Sequence, residues 1–175
     1  MVTKLIAAGA DVDKVTANNA RTPLYTAAQN GNLAIVMELI AAGTDVDKAL
    51  TTTGTTPLLI ASRRGHLTVV TKLIAAGAIV NKARTIDGCT PLYVAAQQGH
   101  LAVVAKLIAA GALVDKARTT DGSTPLYIAA QEGHLAVVTK LIAAGANKSH
   151  RGFKNRTPLE QAQRMKQHAV VAFLG

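Results

Sequence analysis

The chain has 175 residues, 49% apolar but only 3% aromatic and without Trp, so any core is built from Ala, Leu, Ile and Val. A single cysteine, Cys89, excludes an intramolecular disulfide and a Cys-based zinc site. The net charge of +9 is uneven: residues 146–175 set six basic side chains against Glu160, a net +5 that reads as a solubilising end or as an attractant for acidic partners. In chain order, the opening MVTKLIAAGADVDK turns polar too soon for a signal peptide and reads instead as the second helix of an incomplete unit, Val2 to Ala8. The longest apolar stretch, LAVVAKLIAAGALV at 101–114, carries Lys106 and falls short of the ~20 residues a membrane span needs. A water-soluble, monomeric protein of the cytoplasm or another intracellular space is expected.

From there the chain repeats itself. Thr-Pro-Leu begins at Thr22, Thr56, Thr90, Thr124 and Thr157, with spacings of 34, 34, 34 and 33, and Ala-Ala-Gly ends at Gly9, Gly43, Gly77, Gly111 and Gly145. Residues 82–112 and 116–146 agree at 26 of 31 positions. The expected units are a partial one at about 1–13, full ones at 14–47, 48–81, 82–115 and 116–147, and a C-terminal cap at 148–175, all one repeat domain.

One unit shows the local logic. Thr90 is an N-cap whose hydroxyl accepts a free first-turn N–H, and Pro91 suits the first helical position, where its missing N–H costs nothing. A short Ala-rich helix then spans Leu92 to Gln98 and stops at Gly99. A second helix runs from about Leu101 to Ala110, with Leu101, Val104, Leu107 and Ile108 on one stripe, and stops at Gly111. Asp121-Gly122 signals the turn of the following finger. Helices this short are marginal alone, so stability has to come from stacking unit on unit.

The same periodicity argues against chemistry. His66, His100 and His134 recur one unit apart. Stacked helices lie ~8–10 Å apart, whereas zinc holds its nitrogens at ~2.0–2.1 Å, so these histidines read as loop residues tying adjacent turns together. Cys89 aligns with Thr55 and Ser123, a small-residue slot rather than a nucleophile. Asp11, Asp13, Asp45, Asp47, Asp87, Asp115 and Asp121 are finger residues, with no calcium loop after them. No enzyme, cofactor or metal is expected. Nucleic acid is disfavoured because aromatics that stack bases are few, although Lys4, Lys72, Lys106 and Lys140 form a column one unit apart.

The unit DGxTPLYxAAQxGHLxVVxKLIAAGA resembles the ankyrin repeat, T-P-L-H-x-A with a period of 33. The resemblance implies an all-α repeat solenoid, an ankyrin-like stack of helix-turn-helix units with β-hairpin-like fingers, that binds a partner protein on its concave face. The sequence departs from the family in several places. Tyr25, Leu59, Tyr93, Tyr127 and Glu160 replace the usual His, so its bond to the Thr is altered or absent. Three units carry one extra finger residue. Ala20 and Asn155 replace the turn glycine, which leaves the first finger open to distortion. The last unit puts Lys166-Gln167 where Gly-His stood, as suits a polar outer face.

Sameness is scaffold, so the contact residues are sought where units differ. By the family's pattern they map to the ends of the first helices, at Arg63, Arg64, Gln97, Gln98, Gln131 and Glu132, and to the fingers, at Ile86, Cys89, Thr120 and Ser123. Arg63-Arg64 interrupts a run of Ala and Gln, and Arg binds carboxylates bidentately. Arg21, Arg84, Arg118 and Arg156 are expected to extend a basic rim. Ile79 and Leu113, in the slot of Asp11 and Asp45, make either an exposed apolar patch or a covered one.

Overall fold

The computed structural model describes residue 9, residues 11–16 and residues 21–175. Among these lie ten α-helices and no strand. The first helices of successive units are α1 (Pro23–Asn30), α3 (Pro57–Arg64), α5 (Pro91–Gln97), α7 (Pro125–Glu132) and α9 (Pro158–Arg164). The second helices are α2 (Leu33–Ala41), α4 (Leu67–Ala75), α6 (Leu101–Ala109), α8 (Leu135–Ala143) and α10 (His168–Leu174). The helix expected over Val2 to Ala8 and the distortion expected at Ala20 fall outside the described residues.

Each first helix starts by the same device. The hydroxyls of Thr22, Thr56, Thr90, Thr124 and Thr157 accept the N–H three residues on, at 3.0–3.2 Å, and Pro fills the first turn. These Thr hydroxyls are thus satisfied by a main-chain donor without the family's His. In α9 the substitute Glu160 also reaches back to the Thr157 N–H at 2.7 Å and completes a capping box. The first helix expected at Leu92 to Gln98 runs from Pro91 to Gln97, and the second stops at Ala109 rather than Ala110; Gln98 and Ala110 serve as the caps.

Packing follows from residue size. Ala27, Ala28, Ala61, Ala95, Ala96, Ala129, Ala130 and Ala162 are buried between first helices and let their backbones approach closely. The first helices approach one another more closely than the second helices do, so they form the tighter layer of the stack. Between the layers run three apolar columns: Leu24, Leu58, Leu92, Leu126; Val36, Val70, Val104, Val138; and Leu39, Leu73, Leu107, Leu141. None of these is more than 2% exposed. Each such side chain contributes about 1.5–3 kcal/mol through burial.

Hydrogen bonds stitch unit to unit on both sides of the core. The Nε2–H groups of His66, His100 and His134 donate to the carbonyls of Gln29, Arg63 and Gln97 at 3.1, 3.1 and 3.0 Å. In the cap, Gln167 takes over this part and donates to the Gln131 carbonyl at 3.0 Å. On the other side, Asp47, Asn81 and Asp115 accept the N–H groups of Ile79, Leu113 and Asn147 in the following unit. Asp13 accepts from Asp45 N–H and the Thr44 hydroxyl in the same way.

The fingers are hairpin-like without regular strands. In one, Arg84 N–H donates to the Cys89 carbonyl at 3.0 Å and Gly88 N–H to the Arg84 carbonyl at 2.9 Å; Arg118 and Gly122 repeat the pair in the next. Single bonds join neighbouring fingers, Thr85 N–H to Thr53 O and Thr119 N–H to Asp87 O, both at 2.9 Å. In the cap, Asn155 stands in for the turn glycine at φ 58°, a left-handed conformation that Asn tolerates.

Candidate functional site

The concave face is built from the C-terminal ends of the first helices, where each helix has run out of core to cover. Residues 57–62 of α3 are all buried, and Arg63 and Arg64 are the first exposed residues after them. The same boundary falls at Gln97, the last residue of α5, and its cap Gln98, and at Gln131 and Glu132 at the end of α7, where Gln97 and Gln131 are half-buried and Gln98 and Glu132 exposed. The backbone beneath is fixed twice over: Gly65 and Gly133 close their helices in the left-handed conformation, and the next unit binds the carbonyls of Arg63, Gln97 and Gln131. Side chains vary here on a backbone that does not.

At the cap end this face is internally bonded. The buried Gln161 donates from Nε2 to the Gln131 Oε1 at 2.9 Å, and Gln131 Nε2 donates to Glu132 at 3.0 Å. Sequence reasoning missed Gln161. Its signal was present, because it fills a slot held by Thr26, Ile60, Val94 and Ile128 in the other units.

The finger residues divide. Ile86 is 55% exposed and Thr120 is exposed too, at the tips. Cys89 and Ser123 are each 1% exposed, and this corrects their assignment as contact residues: a side chain with no surface offers nothing to a partner. They belong to the finger's own bonding. Cys89 N–H donates to Asp87 Oδ1 and its thiol to Asp87 Oδ2, both at 3.1 Å, and Ser123 N–H donates to Asp121 at 3.1 Å. Burial, with Asp87 beside it, pushes the Cys89 thiol up to about 12, which favours the protonated thiol at neutral pH.

The basic rim is likewise corrected at two of its four members. Arg84 grips Asp87 with two bonds of 2.6 Å, and Arg118 grips Asp121 through the same two contacts. Burial raises the Asp87 carboxyl, yet the bonds from Arg84 and Cys89 outweigh it and bring the carboxyl down to about 2. These pairs neutralise the middle of the rim. A third pair joins Arg151 to Glu160 at 3.2 Å in the cap. Arg21, Arg63 and Arg64 enter no ion pair among the described residues.

The recurring tyrosines lie under the groove, at 5%, 1% and 1% exposed for Tyr25, Tyr93 and Tyr127. The Arg118 guanidinium sits 5.6 Å from the Tyr93 ring centre and that of Arg21 sits 5.8 Å from the Tyr25 ring centre. Tyr127 donates its hydroxyl to the Phe153 carbonyl at 3.2 Å, whereas the Tyr93 hydroxyl is buried without a partner. On the opposite side, Ile79 and Leu113 are 54% and 55% exposed, which settles them as uncovered. The lysine column sits on the second helices, with Lys72 and Lys106 half-buried and Lys140 exposed; Lys4 lies outside the described residues.

Among the described residues no three His, Cys, Asp or Glu side chains group in a way that would hold a metal ion, and no helix is long and apolar enough to cross a membrane. The comparison with curated proteins returned no match. The family model for ankyrin repeats in three copies matches residues 1–84, 42–118, 76–152 and 92–175 in overlapping registers, and so takes in the whole sequence. The capped first helices, the histidine stitch and this match agree: the chain belongs to the ankyrin-repeat family.

Proposed function

We propose that this chain is a non-enzymatic binding module that holds a partner protein in its concave face. Ankyrin repeats are generally protein–protein interaction modules, so the general role follows from the family. Arg63, Arg64, Gln97, Gln98, Gln131 and Glu132 line the inner surface, and Ile86 and Thr120 meet the partner from the finger tips. One observation carries the reading. Arg63, Arg64, Gln98 and Glu132, where the units differ, are exposed at the ends of first helices whose backbone is held by hydrogen bonds from the next unit, so side-chain chemistry varies there on a fixed scaffold.

Capture from native lysate tests it, with the wild-type chain beside an Arg63→Ser, Arg64→Ser variant at low and moderate salt. A protein retained by the wild type and lost by the variant is the expected result. Retention of the same material by both, removed only by salt, would transfer the role to the basic cap and to polyanion binding.

A further inference from the structure

We propose that Arg21, Arg63 and Arg64, gathered around Tyr25 at one end of the concave face, form a carboxylate-binding site that selects an acidic peptide segment of the partner. The proposal rests on the concave-face reading and gives its partner a chemistry.

The geometry comes first. Arg21 enters α1 just before its N-cap, and its guanidinium lies 5.8 Å from the Tyr25 ring centre. Arg63 and Arg64 end α3, the helix packed directly against α1, and both are exposed. Burial raises the Tyr25 hydroxyl, and the positive charges of Arg21, Arg63 and Arg64 oppose that rise. The two other tyrosines differ: Tyr93 feels Asp87 and Asp121 beside Arg118, and Tyr127 feels Asp121 beside Arg156 and Arg164. Three cations therefore stand on and beside two packed first helices without a paired carboxylate among the described residues, where Arg84 and Arg118 further along each hold one.

Among the described residues no carboxylate forms an ion pair with Arg21, Arg63 or Arg64. Asp87, Asp121 and Glu160 are engaged with Arg84, Arg118 and Arg151. Asp13, Asp47 and Asp115 hold backbone N–H groups of the following unit. Residues 1–8, 10 and 17–20 contain no Asp or Glu. Nor does the scaffold ask for arginine, since the places of Arg63 and Arg64 are filled elsewhere by Gln29 and Asn30, Gln97 and Gln98, or Gln131 and Glu132. Gathered like charges repel one another, and a carboxylate that accepts a bidentate guanidinium fork relieves that repulsion. A peptide fits better than a nucleic acid because the tyrosine rings below this face are buried, which leaves bases nothing to stack on.

The experiment measures fluorescence anisotropy of a labelled peptide alternating Glu and Leu, its Gln–Leu counterpart, and an oligothymidylate, all at moderate salt. The proteins are the full chain, Arg63→Gln with Arg64→Gln, and Lys106→Gln with Lys140→Gln, which removes the same charge from the second-helix side. The Glu peptide is expected to bind roughly tenfold or more tighter than the Gln peptide. That preference should vanish in the arginine variant and change less than about twofold in the lysine variant. Equal loss in both variants makes net charge the cause and overturns the site, as does oligothymidylate binding that follows the same pattern as the Glu peptide. Absence of Glu-peptide binding overturns it outright. Tight binding of both peptides, lost in the arginine variant, keeps the concave face and sinks only the acidic preference; binding untouched by that variant sinks the concave face itself.

Discussion

Residues 48–81 and 82–115 fold alike and are held by different bonds. In the second stretch the finger is clamped by Arg84 and Asp87, and the first helix carries Tyr93, Ala96 and Gln97, with Gln98 as its cap. In the first, Leu50 replaces the arginine and Thr53 the aspartate, and a 2.7 Å bond between the Thr53 and Thr55 hydroxyls takes the clamp's place. Leu59 replaces the tyrosine, Ser62 satisfies itself on the Leu58 carbonyl at 2.7 Å, and Arg63-Arg64 follows. The two backbones nevertheless share Thr caps, left-handed glycines and a histidine stitch. A few positions therefore dictate the unit, and the rest are free to be spent on solubility or recognition.

The strongest way to break this comparison is to attack a shared position. At φ +74° a Cβ on Gly99 would meet the His134 ring at 2.6 Å, and on Gly65, at φ +77°, the His100 ring at 2.7 Å. Each ring is tied to a carbonyl and cannot swing clear without losing that bond. Gly65→Ala and Gly99→Ala are each expected to cost about 2–3 kcal/mol, left-handed strain plus a broken stitch. Gly77→Ala and Gly111→Ala have nothing within 4 Å and suffer the strain alone, about 1 kcal/mol. Urea unfolding of the four variants measures both contrasts. A difference above about 1 kcal/mol between Gly65→Ala and Gly99→Ala would mean that the two stretches do not share a scaffold.

Much of this was legible because the physics is local and periodic. The Thr-Pro start, the glycine stop and the 34-residue spacing each fix a short-range geometry, and the structure places helices within a residue or so of those signals. What sequence could not show was which polar groups meet across units. Arg84 and Arg118 read as rim cations because charge is visible in a sequence and pairing is not, although their i,i+3 spacing to Asp87 and Asp121 was the available clue. Cys89 and Ser123 read as contacts because they vary. Variation without exposure means only that the finger tolerates either small polar group against its aspartate. The reach of Gln161 to Gln131 spans 30 residues, so the slot it fills marked the residue but not its partner.

A finer test sharpens the contrast between the two fingers. Asp87→Asn removes the partner of Arg84 and is expected to cost on the order of 1 kcal/mol at neutral pH, whereas Thr53→Ala in the unclamped finger costs about half that. The folded carboxyl titrates near 2 against an ordinary value of 3.8, so its stabilisation is intact above 3.8 and lost as the pH falls through about 2. Thermal unfolding of wild type and Asp87→Asn should therefore converge as the medium is acidified across that interval. A gap that persists below it would assign the effect to Asn packing rather than to the ion pair.

The smallest expected effect bears most on function. Arg63 and Arg64 occupy the last turn of α3, where a cation also favours the helix dipole by about 0.3–1 kcal/mol at low salt. If the dipole were their reason, Arg63→Gln with Arg64→Gln would lower stability measurably at low ionic strength and the loss would shrink as salt screens it. The absence of ion pairs to Arg63 and Arg64 among the described residues points the other way. Relief of repulsion among three guanidinium groups offsets the dipole term, so the double variant is expected to match the wild type within about 0.5 kcal/mol at every salt concentration. Urea midpoints across a salt series decide it. A variant that folds as well as its parent and no longer holds an acidic peptide has lost something the scaffold never needed, which is what separates a recognition residue from a structural one.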